Sequence, residues 1–354
     1  MKTVLITGGA GFVGARLALG LRERGLADRV IAFDNLRRRG SELNLDRLKA
    51  AGIEFLHGDV RVAEDLAEAG PVDAILECSA EPSVLAGYAG SPAYVTQTNL
   101  AGTINCLEVA RRHGAAFLFL STSRVYPIAK LQQLHLRETA TRFELEDAQP
   151  LPGASAAGIA EGFPLEGSRS LYGATKLCSE LLIEEYRAMY GLRTVTNRCG
   201  LLTGPWQMGK SDQGVIVLWA ARHVYGGALR YIGYGGTGKQ VRDLLHIDDL
   251  VDLIEIQLQN LDGLGGGVFN VGGGHECSLS LCELTELCQR HSGKTIEIAP
   301  EPAERPADVP VYLSDTARVQ AACGWHPQRD AETTIGDIVR WLRDNERSLR
   351  PILS

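Results

Sequence analysis

"TVLITGGAGFVG", residues 3–14, opens the chain with a short apolar run, a glycine loop and the start of an amphipathic segment. Gly9, Gly11 and Gly14 satisfy the pattern G-x-G-x-x-G, and Gly8, Gly11 and Gly14 give a second, wider spacing. Such glycines permit a tight turn and let the backbone approach a pyrophosphate, which then rests on the N-terminal amides of the next helix. The pattern gains weight from its place between a first strand and a first helix. It gains more from Asp34, which ends the second apolar run about 20 residues on, where a dinucleotide ribose is held. A carboxylate there accepts from ribose hydroxyls and repels a 2′-phosphate, so NAD is favoured. Arg37, Arg38 and Arg39 keep NADP open, because an arginine at this point accommodates the extra phosphate. Gly8, Gly11, Phe12, Val13, Asp34 and Asn35 are the candidate cofactor residues here. In "GDV" (58–60), Asp59 either holds the adenine amino group or caps a helix, and Val60 follows it.

Outward from the loop, the first half alternates short apolar runs with amphipathic stretches. "TVLIT" (3–7), "RVIAFD" (29–34), "IEFLHGD" (53–59), "VDAILECSA" (72–80) and "AAFLFLST" (115–122) each read as a strand buried on both faces. Helical segments lie between them, and "TKLCSELLIEEYRAMYG" (175–191) is a further long helix before the strand "RTVTNRCG". This alternation predicts an α/β fold, a doubly wound parallel sheet of the Rossmann kind with a smaller C-terminal substrate-binding lobe. The cofactor domain is assigned to 1–197, with 240–262 returning to it. The lobe takes 198–239 and 263–354. "LLTGPWQMGKSDQG" and "GYGGTGKQVRDLLH" read as Gly-rich polar loops around a helix at 215–226, and 148–169 reads as irregular.

The 354 residues are 45% hydrophobic, 22% charged and 6% aromatic, as in an ordinary globular protein. A net charge of −7 gives no electrostatic footprint for nucleic acid or an anionic membrane. No apolar run approaches the ~18 residues of a spanning helix. "MKTVLITGG" enters the strand without a hydrophobic leader, so a cytoplasmic location is expected. The eight cysteines show no C-x-x-C pair and most sit among Leu, Ile or Ala, reading as small buried hydrophobes. No metal site is expected.

Two further stretches carry chemistry. Tyr172 and Lys176 stand four apart in "SLYGATKLCSE", on one helix face. A free tyrosine titrates at about 10 and is a poor base at neutral pH. An ammonium one turn away stabilises the phenolate, although any such pair can also be surface decoration. "LSTSRVYP" (120–127) ends a buried strand in three hydroxyls and an arginine. It is a simple turn on its own, and half of an active site beside the Tyr–Lys pair.

Taken together, "TGGAGFVG", "DNL", "GDVR", "NLAGT", "STSRVY", "LYGATK", "RDLLHIDDL", "FNVGGG" and "RPAD" resemble, in order and over nearly the whole chain, the extended short-chain dehydrogenases/reductases of the nucleotide-sugar epimerase/dehydratase family. The resemblance implies NAD as cofactor, a nucleotide-diphosphate sugar as substrate, and Thr122, Tyr172 and Lys176 as the catalytic triad. It implies that Tyr172 as phenolate takes a proton from a sugar hydroxyl while hydride leaves the same carbon. Thr122 then bonds that oxygen, and Lys176 also binds the nicotinamide ribose. Asn99 in "NLAGT" resembles the family's asparagine near the cofactor. Ser123, Arg124, Gln213, Arg242 and Arg305 are the implied substrate residues, the last two as arginines clamping the diphosphate. A homodimer through a four-helix interface including 98–113 and 175–190 is implied as well.

Dehydratases of the family place an Asp–Glu pair straight after the threonine; here that pair is Ser123–Arg124. Arginine, with a pKa above about 12, is no general acid near neutral pH, so dehydration by that route is disfavoured. Decarboxylases carry Thr-Ser-Glu, and the arginine counts against them too. A basic residue at this point resembles the CDP-paratose (CDP-tyvelose) 2-epimerase branch, as do "FDNLRRRG", "ETATRF", "SDQGVIV", "GKQVRDLLH" and "CGWHPQ". The expected reaction is epimerisation by transient oxidation, rotation and re-reduction. The alternatives are a UDP-sugar 4-epimerase, a UDP-glucuronate decarboxylase-like enzyme, a net sugar-nucleotide reductase and a non-catalytic NAD-binding protein. The sequence departs from the family at Pro127 and at Cys78–Glu81.

Overall fold

A computed structural model describes residues 1–209 and 213–353. Ser211 and Asp212 of the "SDQGVIV" segment lie outside the described residues. The named strands are β1 (Thr3–Thr7), β2 (Arg29–Asp34), β3 (Glu54–His57), β4 (Ala74–Glu77), β5 (Ala116–Thr122), β6 (Thr194–Cys199), β7 (Leu201–Thr203), β8 (Val241–His246), β9 (Val268–Val271), β10 (Ser278–Ser280) and β11 (Val311–Tyr312). The helices that matter are α1 (Phe12–Glu23), α2 (Gly102–His113), α3 (Leu171–Tyr190), α4 (Val215–Tyr225), α5 (Ile247–Gln259), α6 (Leu281–Ser292) and α7 (Ala331–Asp344).

Seven strands form one parallel sheet in the order β9-β6-β5-β4-β1-β2-β3. Because successive side chains in a strand point to opposite faces, the apolar runs feed two cores. Val4, Ile6, Leu76 and Leu118 pack with Leu17 and Leu21 of α1 and with Leu250 and Ile254 of α5. Leu5, Ile31, Ile75 and Phe117 pack on the other face with Leu107 of α2 and Ile183 of α3. The doubly wound α/β fold expected from the alternation is the fold observed. Strand order reverses between β1 and β4, and in open α/β sheets ligands bind beyond the strand C-termini at such a switch point.

Three local expectations are corrected. Glu54–His57 is not buried on both faces, since β3 is the free edge of the sheet and Glu54 and His57 are exposed. The segment "VRDLLH", read as polar loop, is strand β8; it pairs with β7, β10 and β11. Its charged residues hid it, because buried Asp243 accepts the Ser314 and Gly274 amides at 3.1 and 3.2 Å and so is at home in a strand interior. Residues 268–271 fall in the range expected for the lobe, but β9 pairs with β6 and completes the main sheet, because Phe269 and Val271 belong to its core.

A third core gathers Ile216 and Trp219 of α4, Leu284 and Leu287 of α6, and Ile335, Ile338 and Leu342 of α7. Segment 148–169 is largely irregular, with one short ribbon pairing Ala154–Ser155 with Gly158–Ile159. The cysteines carry no disulfide; Cys106, Cys199, Cys277 and Cys288 are buried, while Cys178 is exposed on α3. Among the described residues no helix is long and apolar enough to cross a membrane.

Candidate active site

A cavity of about 720 Å³ lies beyond the C-terminal ends of β1, β2, β4, β5 and β6. Gly8, Gly11, Phe12, Val13, Asp34, Asn35, Val60, Thr122, Ser123, Arg124, Tyr172, Lys176, Gln213 and Arg242 all line it. Asp59, Asn99 and Arg305 do not.

At the nucleotide end, α1 begins after Gly11 with no side-chain cap on its first turn. A Cβ at Gly14 would fall 2.2 Å from the Gly8 carbonyl oxygen, so only glycine lets the helix pass this close to the turn. A Cβ at Gly11 would meet that same oxygen at 3.1 Å and no other atom within 4 Å. The loop is thus a backbone cradle open to the cavity, with the positive end of a helix dipole beneath it, and it fits a pyrophosphate. Asp34 accepts the amides of Ala10 and Leu36 at 3.1 and 2.7 Å, which fixes its carboxylate at the cavity edge. Burial raises its pKa, and those amides pull it back. The neighbouring arginines have protein partners: Arg37 stacks 3.9 Å over Tyr94, Arg38 bonds Gln213 and the Met208 carbonyl, and Arg39 bonds the Pro351 carbonyl at 2.9 Å. With them so engaged, Asp34 decides for NAD.

Asp59 neither caps a helix nor lines the cavity. The residue preceding the next helix is Val62, and the Asp59 carboxylate is taken by Arg61 at 2.7 Å and by the Asn35 amide at 2.9 Å. Those partners hold it well below the usual carboxylate range. Asn99 sits in a π-helical turn, Gln97–Ala101, just before α2, and is fully buried. Its side chain brackets the Glu81 backbone, accepting from the amide at 2.7 Å and donating to the carbonyl at 3.1 Å, with Thr175 Oγ1 at 3.3 Å. Its polar atoms are therefore spent on the segment Cys78–Glu81, which itself lines the cavity. Asn99 shapes the wall from behind.

At the opposite end, β5 delivers Thr122 and α3 delivers Tyr172 and Lys176. Ser170 caps α3 by accepting the Gly173 amide at 3.3 Å, which sets Tyr172 in the first turn and Lys176 one turn on. A Cβ at Gly173 would fall 2.0 Å from the Arg124 carbonyl oxygen. That close approach, which sequence reasoning missed, brings the helix start against the turn after β5. Thr122 Oγ1 accepts the Arg124 amide at 3.2 Å, and its hydroxyl lowers the pKa of the neighbouring Tyr172 phenol. The amide occupies a lone pair, which leaves the one hydroxyl proton to be donated into the cavity that Thr122 lines.

Tyr172 departs from the expected lowering. Burial pushes it up to about 12; Thr122 and Arg124 pull it down, and Cys199 and Glu77 push it up. Lys176 is almost fully buried, with Nζ 4.3 Å over the Phe119 ring and 3.9 Å from Glu77 Oε2. Sequence reasoning passed over Glu77 as the end of an apolar strand. The signal was available: a carboxylate inside a buried run is rare unless paired.

The implied substrate arginines divide. Arg242 donates to Asp308 and to the Val309 carbonyl, both at 2.7 Å. Arg124 is half-buried and donates to the Ala307 carbonyl at 3.2 Å. Burial and the like charge of Arg242 bring its guanidinium down to about 10, so it remains a cation at neutral pH. Arg305, on the same loop, is exposed and outside the lining, a correction to its place among the cavity residues. The loop meets the cavity through Val309 instead. Gln213 receives Arg38 and keeps a buried side-chain amide nitrogen without a partner. Among the described residues no cluster of His, Cys, Asp or Glu is arranged to hold a metal ion.

A glycine cradle, a ribose-side carboxylate and a Thr–Tyr–Lys constellation in one cavity define a dinucleotide-dependent enzyme of the Rossmann class. Residues 4–272 match the NAD dependent epimerase/dehydratase family, and the chain belongs to that family. It is 30% identical over 352 residues to the CDP-paratose 2-epimerase of Salmonella typhi, covering 96% of this chain and 98% of the relative. It is also 30% identical over 376 residues to the dTDP-glucose 4,6-dehydratase of Xanthomonas campestris pv. campestris, covering 100% and 96%. Among solved structures, DesIV, a dTDP-glucose 4,6-dehydratase from Streptomyces venezuelae with NAD and TYD bound, superposes with a TM-score of 0.80 at 29% identity, over 99% of this chain and 100% of that one. The Thermus thermophilus UDP-glucose 4-epimerase in complex with NAD gives 0.77 at 27%, over 97% and 99%.

Proposed function

We propose that this protein is a nucleotide-sugar epimerase, most like CDP-paratose 2-epimerase, with Thr122, Tyr172 and Lys176 as its catalytic residues. The observation that carries the reading is Arg124: a complete Thr–Tyr–Lys set stands beside a cation where a dehydratase needs an acid. When bound, NAD supplies the hydride acceptor and, in its oxidised form, a positive charge. Tyr172 takes the proton of a sugar hydroxyl and later returns it. Thr122 donates its one hydroxyl proton to the substrate oxygen, so the charge developing there has a donor already in place. Lys176 steadies the phenolate and binds the nicotinamide ribose. Gly8, Gly11, Phe12, Val13, Asp34, Asn35 and Val60 hold the dinucleotide. Ser123, Arg124, Gln213 and Arg242 face the nucleotide-diphosphate sugar.

Purified protein is expected to keep NAD through dialysis and to turn over one nucleotide sugar without added cofactor. UDP-, CDP-, GDP- and dTDP-sugars incubated in heavy water and read by NMR would give an epimer with no deuterium on carbon. A requirement for stoichiometric NADH or NADPH would make it a net reductase.

The homodimer belongs to the same proposal. α3 carries Leu181, Met189 and Tyr190 at 58%, 66% and 49% exposure, and α2 beside it exposes Ile104. An apolar stripe of this kind on paired helices suits burial against a second copy. Leu181→Glu is expected to shift the protein to a monomer in sedimentation velocity, and an unchanged sedimentation coefficient would remove this face from the interface. The eight unpaired cysteines support a cytoplasmic location.

A further inference from the structure

Strand β4 ends its apolar run in a carboxylate. Glu77 is fully buried between Thr103 of α2 and Lys176 of α3. Its Oε2 lies 3.3 Å from Thr103 Oγ1 and 3.9 Å from Lys176 Nζ, and its Oε1 has no hydrogen-bond partner. Thr103 has one hydroxyl proton, and it is divided between Glu77 and the nearer Asn99 carbonyl at 2.8 Å. The ammonium is therefore the carboxylate's main compensation. A carboxylate withdrawn this far from water is costly unless paired; burial raises its pKa and Lys176 pulls it back. Such a group is tolerated at the foot of a catalytic pair for a reason.

We propose that Glu77 is a positioning residue for the Tyr172–Lys176 pair: it holds the ammonium from the sheet side and offsets part of its charge, and so sets the pH at which Tyr172 gives up its proton. The inference rests on the proposed acid/base role of Tyr172 and adds the residue that sets when that role begins. Tyr172 is faced by Arg124 from the turn after β5, by Cys199 at the end of β6 and by Glu77 from β4. Glu77 and Lys176 are faced in turn by Cys78, by Cys199 and by Cys106 of α2. Burial pushes all three thiols up, Cys199 to about 12, so they are neutral; Glu77, which burial also pushes up, is the carboxylate of the group, set 3.9 Å from the Lys176 ammonium. An anion raises the pKa of a nearby phenol. Removing it must lower the pH at which Tyr172 ionises.

The test is a tyrosinate absorbance titration of the NAD-loaded protein, with Tyr172→Phe as the reference that isolates Tyr172. In Glu77→Gln the Tyr172 midpoint is expected to fall by roughly 0.5–1 pH unit, the scale of one partly screened charge. The acidic limb of the turnover profile should move down with it. Where Glu77→Gln does not fold, Thr103→Val is used, which deletes no ionisable group. It removes a polar neighbour of Glu77, favours its neutral form and moves the midpoint the same way by a smaller step. A midpoint that stays at the wild-type value or rises, in whichever of these variants folds, overturns the proposal. The titration needs no substrate, so it decides the role of Glu77 even if no nucleotide sugar turns over.

Discussion

Tyr172→Phe is expected to lower turnover by about 10²–10⁴-fold, the range for losing a positioned acid/base, with the NAD content of the purified protein unchanged. The substitution removes one oxygen and keeps the ring, so the packing of α3 against the turn after β5 is preserved. No neighbour can replace the lost group. Arg124 stays a cation, and the Cys78 and Cys199 thiols are pushed up by burial, Cys199 to about 12. Thr122 supplies a hydroxyl, which is no base at neutral pH, and its oxygen already accepts the Arg124 amide. Cofactor retention follows from distance along the chain, since the cradle is built from residues 8–14 and Asp34 on the other side of the cavity. The measurements are turnover at saturating nucleotide sugar and NAD released per protomer on denaturation. Near-normal turnover would take Tyr172 out of the mechanism.

How far the site was legible follows from the kinds of signal it uses. The glycine loop, Asp34 and the Tyr–Lys pair are local patterns, where spacing alone sets geometry, and the structure brings them into one cavity. β5 was legible because all seven of its residues are buried. β8 was not, because Arg242, Asp243 and His246 mask a strand whose polar groups find partners only after Ser314 and Gly274 arrive from distant segments. Asp59 and Asn99 show the opposite limit. Motif position puts both near the cofactor, but each has its polar atoms taken by protein, Asp59 by Arg61 and Asn35, Asn99 by Glu81 and Thr175. Spacing cannot reveal that a donor is already spent. Glu77 is the same lesson in charge: its partner Lys176 lies 99 residues away along the chain, so only the packing of α3 on the sheet discloses the pair.

Arg124→Glu is expected to cost about 10²-fold in turnover, the scale of a displaced positioning group, and to yield no 4-keto-6-deoxy sugar. Arg124 joins the catalytic strand end to the loop that follows Arg305: its guanidinium meets the Ala307 carbonyl at 3.2 Å and stands close to Asp308. Ala307 has φ of +61°, a left-handed conformation that costs a non-glycine residue about 1–2 kcal/mol. A donor on its carbonyl helps to hold it there. A glutamate removes that donor and sets a second carboxylate near Asp308, which Arg242 alone would then have to balance at 2.7 Å. The loop is expected to shift, carrying Val309 out of the cavity wall. Dehydration does not follow, because the pair that performs it has two members, and the first position stays Ser123. A serine neither protonates a leaving hydroxyl at neutral pH nor abstracts a carbon-bound proton. The outcome is read by NMR on the product and by comparing Arg124→Glu with Arg124→Met, which removes the charge without adding another. If the glutamate variant made a 4-keto-6-deoxy product, the local acid would have been the only part missing, and the boundary between epimerase and dehydratase in this chain would rest on residue 124 alone.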